Sequence, residues 1–356
     1  VKKVEVNRDR MSASEESLRS RLRSLARSFS GRRVAIVGDI IADQFVHGEI
    51  SRVSREAPVL ILRHERTETV PGGAANCAMN VAALGATAHL VGVIGDDAAG
   101  RALREKLEAT GVVCSAVEVA TSAQTTTKVR ILAGRAHAPR QQVIRIDYEA
   151  SLDETNRLRP MLDAEARKAF AACDAVIISD YGYGVASDQI AEDARRLVRE
   201  QHVAVVVDSR HGLPRFFGLT SATPNEAEVE DLCGERIRDT RHLEEIGQQL
   251  RQRLHYDALL ITRGANGMLL VEPDRAPLYI PAVGSRDAVD VTGAGDTVIA
   301  AYALALACGA TFEEAAHVAN YAGSIVVMKR GTATVSIAEL LAALAHEPSA
   351  PSAYST

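Results

Sequence analysis

Four short runs in this chain, residues 33–38, 174–179, 203–208 and 258–262, are almost wholly apolar and rich in β-branched side chains. A strand with no polar face has to be covered on both sides. Segments of helical spacing precede these runs, and another strand is expected at 88–94 after a small-residue helix at 74–84. That alternation predicts βαβ units and an α/β fold, with a central, mostly parallel sheet carrying helices on both faces. Helical patterns at 295–307, 312–329 and 336–345 complete the second half.

Two regions break the rhythm. Residues 45–69 alternate apolar and polar side chains, Val59 and Ile61 against Arg63 and Glu65, and residues 125–132 and 142–148 do the same. Strands with one wet face read this way, so a small second sheet is expected, inserted discontinuously and standing apart from the first. Leu18, Leu22 and Leu25 recur at helical spacing within 12–28 and predict an amphipathic surface helix packed on the main body. The expected organisation is an N-terminal extension over 1–32, one domain over 33–345 and a disordered Pro/Ser/Ala-rich tail over 346–356. Residues 1–10, which precede Met11, are left out of the fold reading.

Composition removes several functional classes. The 41 basic and 46 acidic residues give a net charge of −5, without the electrostatic footprint of a nucleic-acid binder. No apolar run reaches the roughly 20 residues of a membrane span, and no signal peptide is recognisable. The five cysteines (Cys77, Cys114, Cys173, Cys233, Cys308) are scattered, with no C-x-x-C pair. Buried thiols in a reducing cytoplasm are expected.

The strongest chemical signal is Asp290-Val291-Thr292-Gly293-Ala294-Gly295-Asp296-Thr297, which runs straight into an apolar helix. Two glycines one residue apart let successive N–H groups face outward at a helix start, a ready site for an anion. Asp296 there is either a general base beside a phosphate-bearing ligand or an N-terminal carboxylate favoured by the helix dipole. Pro71-Gly72-Gly73-Ala74-Ala75-Asn76 also precedes a helix, where its small residues serve either ligand approach or tight packing. Asp39, Asp43, Asp180 and Asp208 follow or end predicted strands, and ligands of open α/β sheets bind at the carboxyl ends of strands. There is no G-x-x-x-x-G-K-[ST] loop, no complete G-x-G-x-x-G, no G-x-S-x-G and no H-E-x-x-H.

In this order Gly38-Asp39…Asp43, Gly72-to-Asn76, Asn225-x-x-Glu228, Thr262-Arg263-Gly264-x-x-Gly267 and the Gly293-to-Asp296 box resemble the ribokinase (PfkB) family of sugar kinases, over about residues 33–345. Residues 51–58, 71–80, Asp290-Val291-Thr292, residues 142–147 and Ser179-Asp180-Tyr181 are most similar to the bacterial heptose 7-phosphate kinases of that family, a subgroup that includes the kinase half of a bifunctional ADP-heptose synthesis protein. Three positions depart from the subgroup: Tyr183 replaces a Lys, Asp208-Ser209-Arg210 replaces Asp-Pro-Lys, and Arg55 replaces a Pro. No nucleotidyltransferase half is expected in the chain.

The resemblance implies a ribokinase-like fold whose small sheet (45–69 and 125–148) is a lid, and transfer of the ATP γ-phosphoryl group to a sugar hydroxyl. Asp296 would be the base, and Gly293, Ala294 and Gly295 would hold the developing charge. Asn225 and Glu228 would organise Mg²⁺ through water and reach the ATP phosphates. Thr262, Gly264 and Gly267 would line the nucleotide loop, with Asn320 near the adenine; a monovalent cation requirement stays open. Asp43, Gly72, Gly73, Asn76 and Asp180 would meet the sugar. Lys128 and Arg52 are candidates for a substrate phosphate, against the alternative of solvated strand positions. A sugar phosphate acceptor and a homodimer through the lid are expected, with no nucleic-acid or membrane partner. A kinase of another sugar or nucleoside, and a non-catalytic sugar- or nucleotide-binding regulator, are the competing readings.

Overall fold

The apolar runs become neighbouring strands of one nine-stranded sheet. In a computed structural model, which describes residues 16–134, 140–284 and 288–345, β1 (Arg33–Gly38) lies between β8 (Ala175–Asp180) and β4 (Thr87–Gly95). β5 (Val113–Ala120) flanks β4; beyond β8 come β9 (Ala204–Ser209), β10 (Ser221–Ala222) and β11 (Ala258–Thr262), all paired in parallel. β12 (Met268–Val271) and β13 (Leu278–Ile280) add an antiparallel edge.

Residue alternation along each strand feeds two cores. Val34, Ile36, Ile177, Val206 and Leu260 enter one, and Ala35, Val37, Ile178, Val205 and Leu259 the other. This is the physical reason for the unbroken apolar runs. The first core is covered by α2 (Ala74–Ala83), α3 (Ala98–Ala109), α8 (Ala294–Ala307), α9 (Phe312–Val326) and α10 (Ile337–Ala345). The second lies under α4 (Leu152–Phe170), α5 (Asp188–Gln201), α6 (Glu226–Cys233) and α7 (Thr240–Leu254). α9 stops three residues short of the expected 329, because the Val327 carbonyl accepts the N–H groups of Val289 and Asp290 instead of continuing the helix.

A helix over residues 16–27, here α1, also reaches the first core: Leu22, Leu25, Ala26 and Phe29 are buried in it. Arg21 on the same helix pairs with Glu314 of α9 at 3.0 Å. The earlier part of the expected helix and the tail from 346 lie outside the described residues.

The alternating segments form the separate four-stranded sheet, in the order β3 (Leu60–Gly73), β2 (Ile40–Val53), β6 (Thr127–Gly134), β7 (Gln141–Tyr148). β2 pairs with β3 antiparallel and with β6 in parallel, and β7 is exposed along its whole length. One residue separates β1 from β2. That residue, Asp39, gives its N–H to the Ser179 carbonyl (3.0 Å) and accepts the N–H of Ala74 (3.0 Å), where β3 passes into α2. Its carboxylate accepts the N–H groups of Tyr181 (2.8 Å), Tyr183 (3.1 Å) and Val185 (3.2 Å). Burial pushes the Asp39 carboxyl up to about 6 against these stabilising bonds.

If α1 is part of the core, Leu25→Ala should cost about 2–5 kcal/mol of unfolding free energy, as other large-to-small core substitutions do. Urea unfolding followed by circular dichroism measures this. A loss under about 0.5 kcal/mol, the size expected of a surface site, would show α1 to be a dispensable attachment.

Candidate active site

α8 starts without a side-chain cap. Gly293 precedes it at φ 76°, and a Cβ there would lie 2.5 Å from Asn76 Nδ2. Only glycine tolerates both the left-handed backbone and that approach. The first turn of α8 therefore presents backbone N–H donors and the positive end of the helix dipole, with no side chain in the way.

Asp296 sits in that turn with 4% of its surface exposed. Its Oδ2 accepts Asn76 Nδ2 at 2.8 Å, and its Oδ1 accepts the Tyr181 hydroxyl at 3.3 Å and the Cys77 thiol at 3.5 Å. Asn76 is oriented in turn by Asn80, whose Nδ2 donates to Asn76 Oδ1 (3.1 Å) and whose Oδ1 accepts from Thr297 (3.1 Å). α2 and α8 are thus joined by a buried polar network. Burial pushes the Asp296 carboxyl up to about 6, although the bonds from Asn76, Cys77 and Tyr181 pull the other way. A carboxylate so poised can take a proton near neutral pH.

A cavity of about 250 Å³ opens on Asp296, walled by Asp43, Gly73, Lys128, Arg130, Tyr181, Arg210, Thr292, Gly293 and Gly295 among others. Register brings the lid residues together, since Asp43 on β2 lies opposite Lys128 on β6. Arg130, two residues along β6, ion-pairs with Asp43. Lys128 and Arg210 lie over the Tyr181 ring at 4.9 and 5.2 Å from its centroid. Burial and then the Arg210 charge lower the Lys128 pKa.

A second cavity, of about 230 Å³, lies across the head of α8 and is lined mainly by small and apolar residues. Thr262, Gly264, Gly267 and Asn320 lie on it. Asn320 gives its side-chain N–H to the Pro281 carbonyl at 2.7 Å, so that donor fixes the cavity wall. Asn225 and Glu228 form a reciprocal cap on α6, and a β-bridge between Asn225 and Thr262 sets this cap against the cavity's loop. Burial raises the Glu228 carboxyl, and burial followed by Glu228 and Asp296 raises that of Asp208 well above its usual range.

The other candidates are placed as follows. Gly72 packs on Asp43, where a Cβ would lie 2.5 Å from Oδ2. Asp180 does not line the cavity. It accepts the Ser209 hydroxyl (2.6 Å) and the Gly182 N–H (3.2 Å), and its carbonyl accepts the Arg210 N–H, so it shapes the turn that carries Arg210. Arg52 is exposed near the hairpin tip, nine residues and about 30 Å of strand from Asp43, and is not brought to the cavity. Tyr181, Arg130, Arg210 and Thr292 were not singled out as site residues in the sequence. Arg130 had a signal, since it shares a strand face with Lys128. Of two subgroup departures, Arg210 lines the cavity and Tyr183 does not: the Tyr183 hydroxyl donates to Glu149 at 3.4 Å.

Two cavities meet at an uncapped helix head, with a carboxylate facing one of them and a four-stranded sheet above, in a fold of ribokinase-like architecture. The structure of Arabidopsis thaliana ribokinase with ribose and ATP is similar in fold, with a TM-score of 0.69 and 20% identity, covering 89% of this chain and 100% of that one. Escherichia coli phosphofructokinase-2 in complex with potassium matches at a TM-score of 0.70 and 19% identity, over 88% and 99%. The chain belongs to the pfkB family of carbohydrate kinases, whose profile matches residues 32–339. Among curated relatives, it is 41% identical over 313 residues to the bifunctional protein HldE of Klebsiella pneumoniae subsp. pneumoniae and 38% identical over 322 residues to that of Gluconobacter oxydans. Each match takes in 88% of this chain but only 63% and 65% of the relative, so the chain spans less than two thirds of their length.

The Asp296 carboxyl titrates near 6 when folded and near 3.8 in its ordinary state. The folded chain therefore binds more protons between these values, and stability falls as pH rises through them. Asp296→Asn should be more stable than the parent by on the order of 2–3 kcal/mol above pH 6, the difference closing as pH falls towards 4. Urea unfolding across that range measures it; a difference independent of pH would show that the carboxylate carries no such penalty.

Proposed function

We propose that this enzyme transfers the ATP γ-phosphoryl group to a hydroxyl of a sugar phosphate, converting heptose 7-phosphate to heptose 1,7-bisphosphate on the way to ADP-heptose and the lipopolysaccharide core. One observation carries the reaction type: Gly295 forms part of the wall of both cavities, with Asp296 on one of them. A nucleotide in the apolar cavity would direct its terminal phosphate at the α8 amides, and an acceptor in the other would bring a hydroxyl to Asp296. The heptose phosphate reading rests on the motif resemblance and on the similarity to the HldE proteins.

In the transfer step the acceptor oxygen attacks the γ-phosphorus, the bond to the bridging oxygen of ADP breaks, and the hydroxyl proton passes to Asp296. The Gly295 amide would face the charge that spreads over the transferred group, aided by the dipole of α8, whereas the Ala294 N–H is given to the Val291 carbonyl at 3.2 Å. Asn76 and Tyr181 hold the carboxylate in place from either oxygen. Asp43 and the backbone at Gly72 and Gly73 would recognise hydroxyls of the sugar, and Lys128 and Arg210 bring positive charge to the same cavity.

Mg²⁺ fits the residues present. Glu228 and Asp208 repel one another in a partly dehydrated setting, which a cation would relieve, and the donors are all oxygen. Mg²⁺ commonly keeps several waters and takes phosphate oxygens, so one or two carboxylate side chains suffice. Asn225 and Glu228 would hold it through water, where it would neutralise phosphate charge.

A homodimer through the lid is supported by β7, an exposed edge strand that shows Val143, Ile144, Ile146 and Tyr148 to solvent. A cytoplasmic site of action is supported by the five scattered cysteines, which suit a reducing compartment; among the described residues no helix is long and apolar enough to cross a membrane.

ADP release measured over free and phosphorylated sugars tests the substrate. Turnover should be highest with heptose 7-phosphate; preference for an unphosphorylated ribose, fructose or nucleoside would replace the reading. Asp296→Asn should lower kcat by about 10²–10⁴-fold with little change in ATP affinity. A kcat within about threefold of the parent, with chemistry rate-limiting, would reduce Asp296 to a helix-terminus residue.

A further inference from the structure

A third cavity, of about 630 Å³, adjoins the acceptor cavity under the lid. Arg130 and Thr292 form part of the wall of both. The three cavities therefore run in series, joined first by Gly295 and then by Arg130 and Thr292. Anything that reaches past the acceptor cavity, away from the nucleotide, enters this third space.

Its walls carry four guanidinium groups, from Arg66, Arg130, Arg140 and Arg330, against the carboxylates of Glu68 and Asp290. Asp290 is committed, since it accepts the N–H groups of Thr292 and Gly331, both at 2.9 Å. Arg130 and Arg140 pair with Asp43 and Glu65. Arg66 and Arg330 have no carboxylate partner among the described residues; a guanidinium nitrogen of Arg66 lies 3.3 Å from His47 Nε2. Two buried polar atoms of wall residues, His47 Nδ1 and Thr332 Oγ1, also lack a hydrogen-bond partner there. Arg66 and Arg330 are exposed to solvent and carry no burial penalty, but together with the partnerless His47 Nδ1 and Thr332 Oγ1 they can serve an anion with several acceptor oxygens.

We propose that this cavity is the subsite for the phosphoryl group the acceptor already carries, with Arg66 and Arg330 as its principal ligands and His47 and Thr332 beside them. The inference rests on the sugar phosphate reading above and gives it a place. It also moves the phosphate from Arg52, at the hairpin tip, to the inner half of the lid. The reacting hydroxyl at Asp296 and the existing phosphate then lie at opposite ends of the sugar, as a terminal phosphate on a long-chain sugar requires. A small free sugar would leave the third cavity unfilled.

The experiment compares heptose 7-phosphate with the same heptose lacking its phosphate, and uses inorganic phosphate as an inhibitor varied against the acceptor. Arg66→Ala and Arg330→Ala should each raise KM for the phosphorylated acceptor and the inhibition constant for phosphate by about tenfold or more, the worth of a charge-assisted hydrogen bond. KM for the unphosphorylated heptose should move far less. An equal rise for both sugars, or a loss produced by Arg52→Ala and not by the other two, would overturn the assignment. If the parent enzyme rejects every sugar phosphate, the substrate reading fails separately. The subsite then stands if inorganic phosphate still competes with the acceptor and Arg66→Ala weakens that competition, and falls if it does not.

Discussion

The hydrogen bond from Asn76 to Asp296, 2.8 Å long and buried, holds the two halves of the site in register. Asn76 stands in the first turn of α2, the first helix after the lid hairpin, and Asp296 in the first turn of α8, more than two hundred residues later. Through Asn80 and Thr297 the link becomes a closed network with few free polar groups. Such a network is expensive to leave half satisfied, so it fixes how α2 and α8 lie against each other. The glycine at 293 is required by the same contact, since any side chain there would displace Asn76.

Electrostatics around this link are balanced between opposed tendencies. Asp296 is pushed towards protonation by burial, while its three donors favour the charged form. Across the cavity Lys128 is pushed towards losing its proton by the same burial and by Arg210. Each group is held away from its comfortable state by a site that excludes water. Polar ligands that restore some of the lost solvation have a corresponding advantage in binding.

The sheet and most of the helices were legible in the sequence because the strands are apolar on both faces, which only a sheet covered on both sides can bury. The lid was legible for the opposite reason, its strands alternating. Asp296 and the Gly293–Gly295 turn could be read because special backbone geometry leaves a trace in residue type. Of the cationic side chains only Lys128 could be placed on the cavity from the sequence. Arg52 and Arg66 lie on the same hairpin, and only the long antiparallel register of β2 and β3 decides which one faces the cavities. Arg130 could have been inferred from Lys128 two residues before it, but its pairing with Asp43, 87 residues away, could not. Asn320 lies on the expected cavity, and what the sequence does not show is that its side-chain N–H is given to the Pro281 carbonyl.

Both ends of the β2–β3 hairpin converge on a single residue. β2 departs immediately after Asp39, and the chain returning through β3 is tied to the Asp39 carbonyl at Ala74. The Asp39 side chain meanwhile grips the loop that carries Tyr181, which touches Asp296. The β2–β3 hairpin is thus hinged like a lever with its fulcrum at Asp39, and the short arm of that lever ends on the carboxylate of Asp296. A shift of the hairpin's root would be felt, through one aspartate, at that carboxylate.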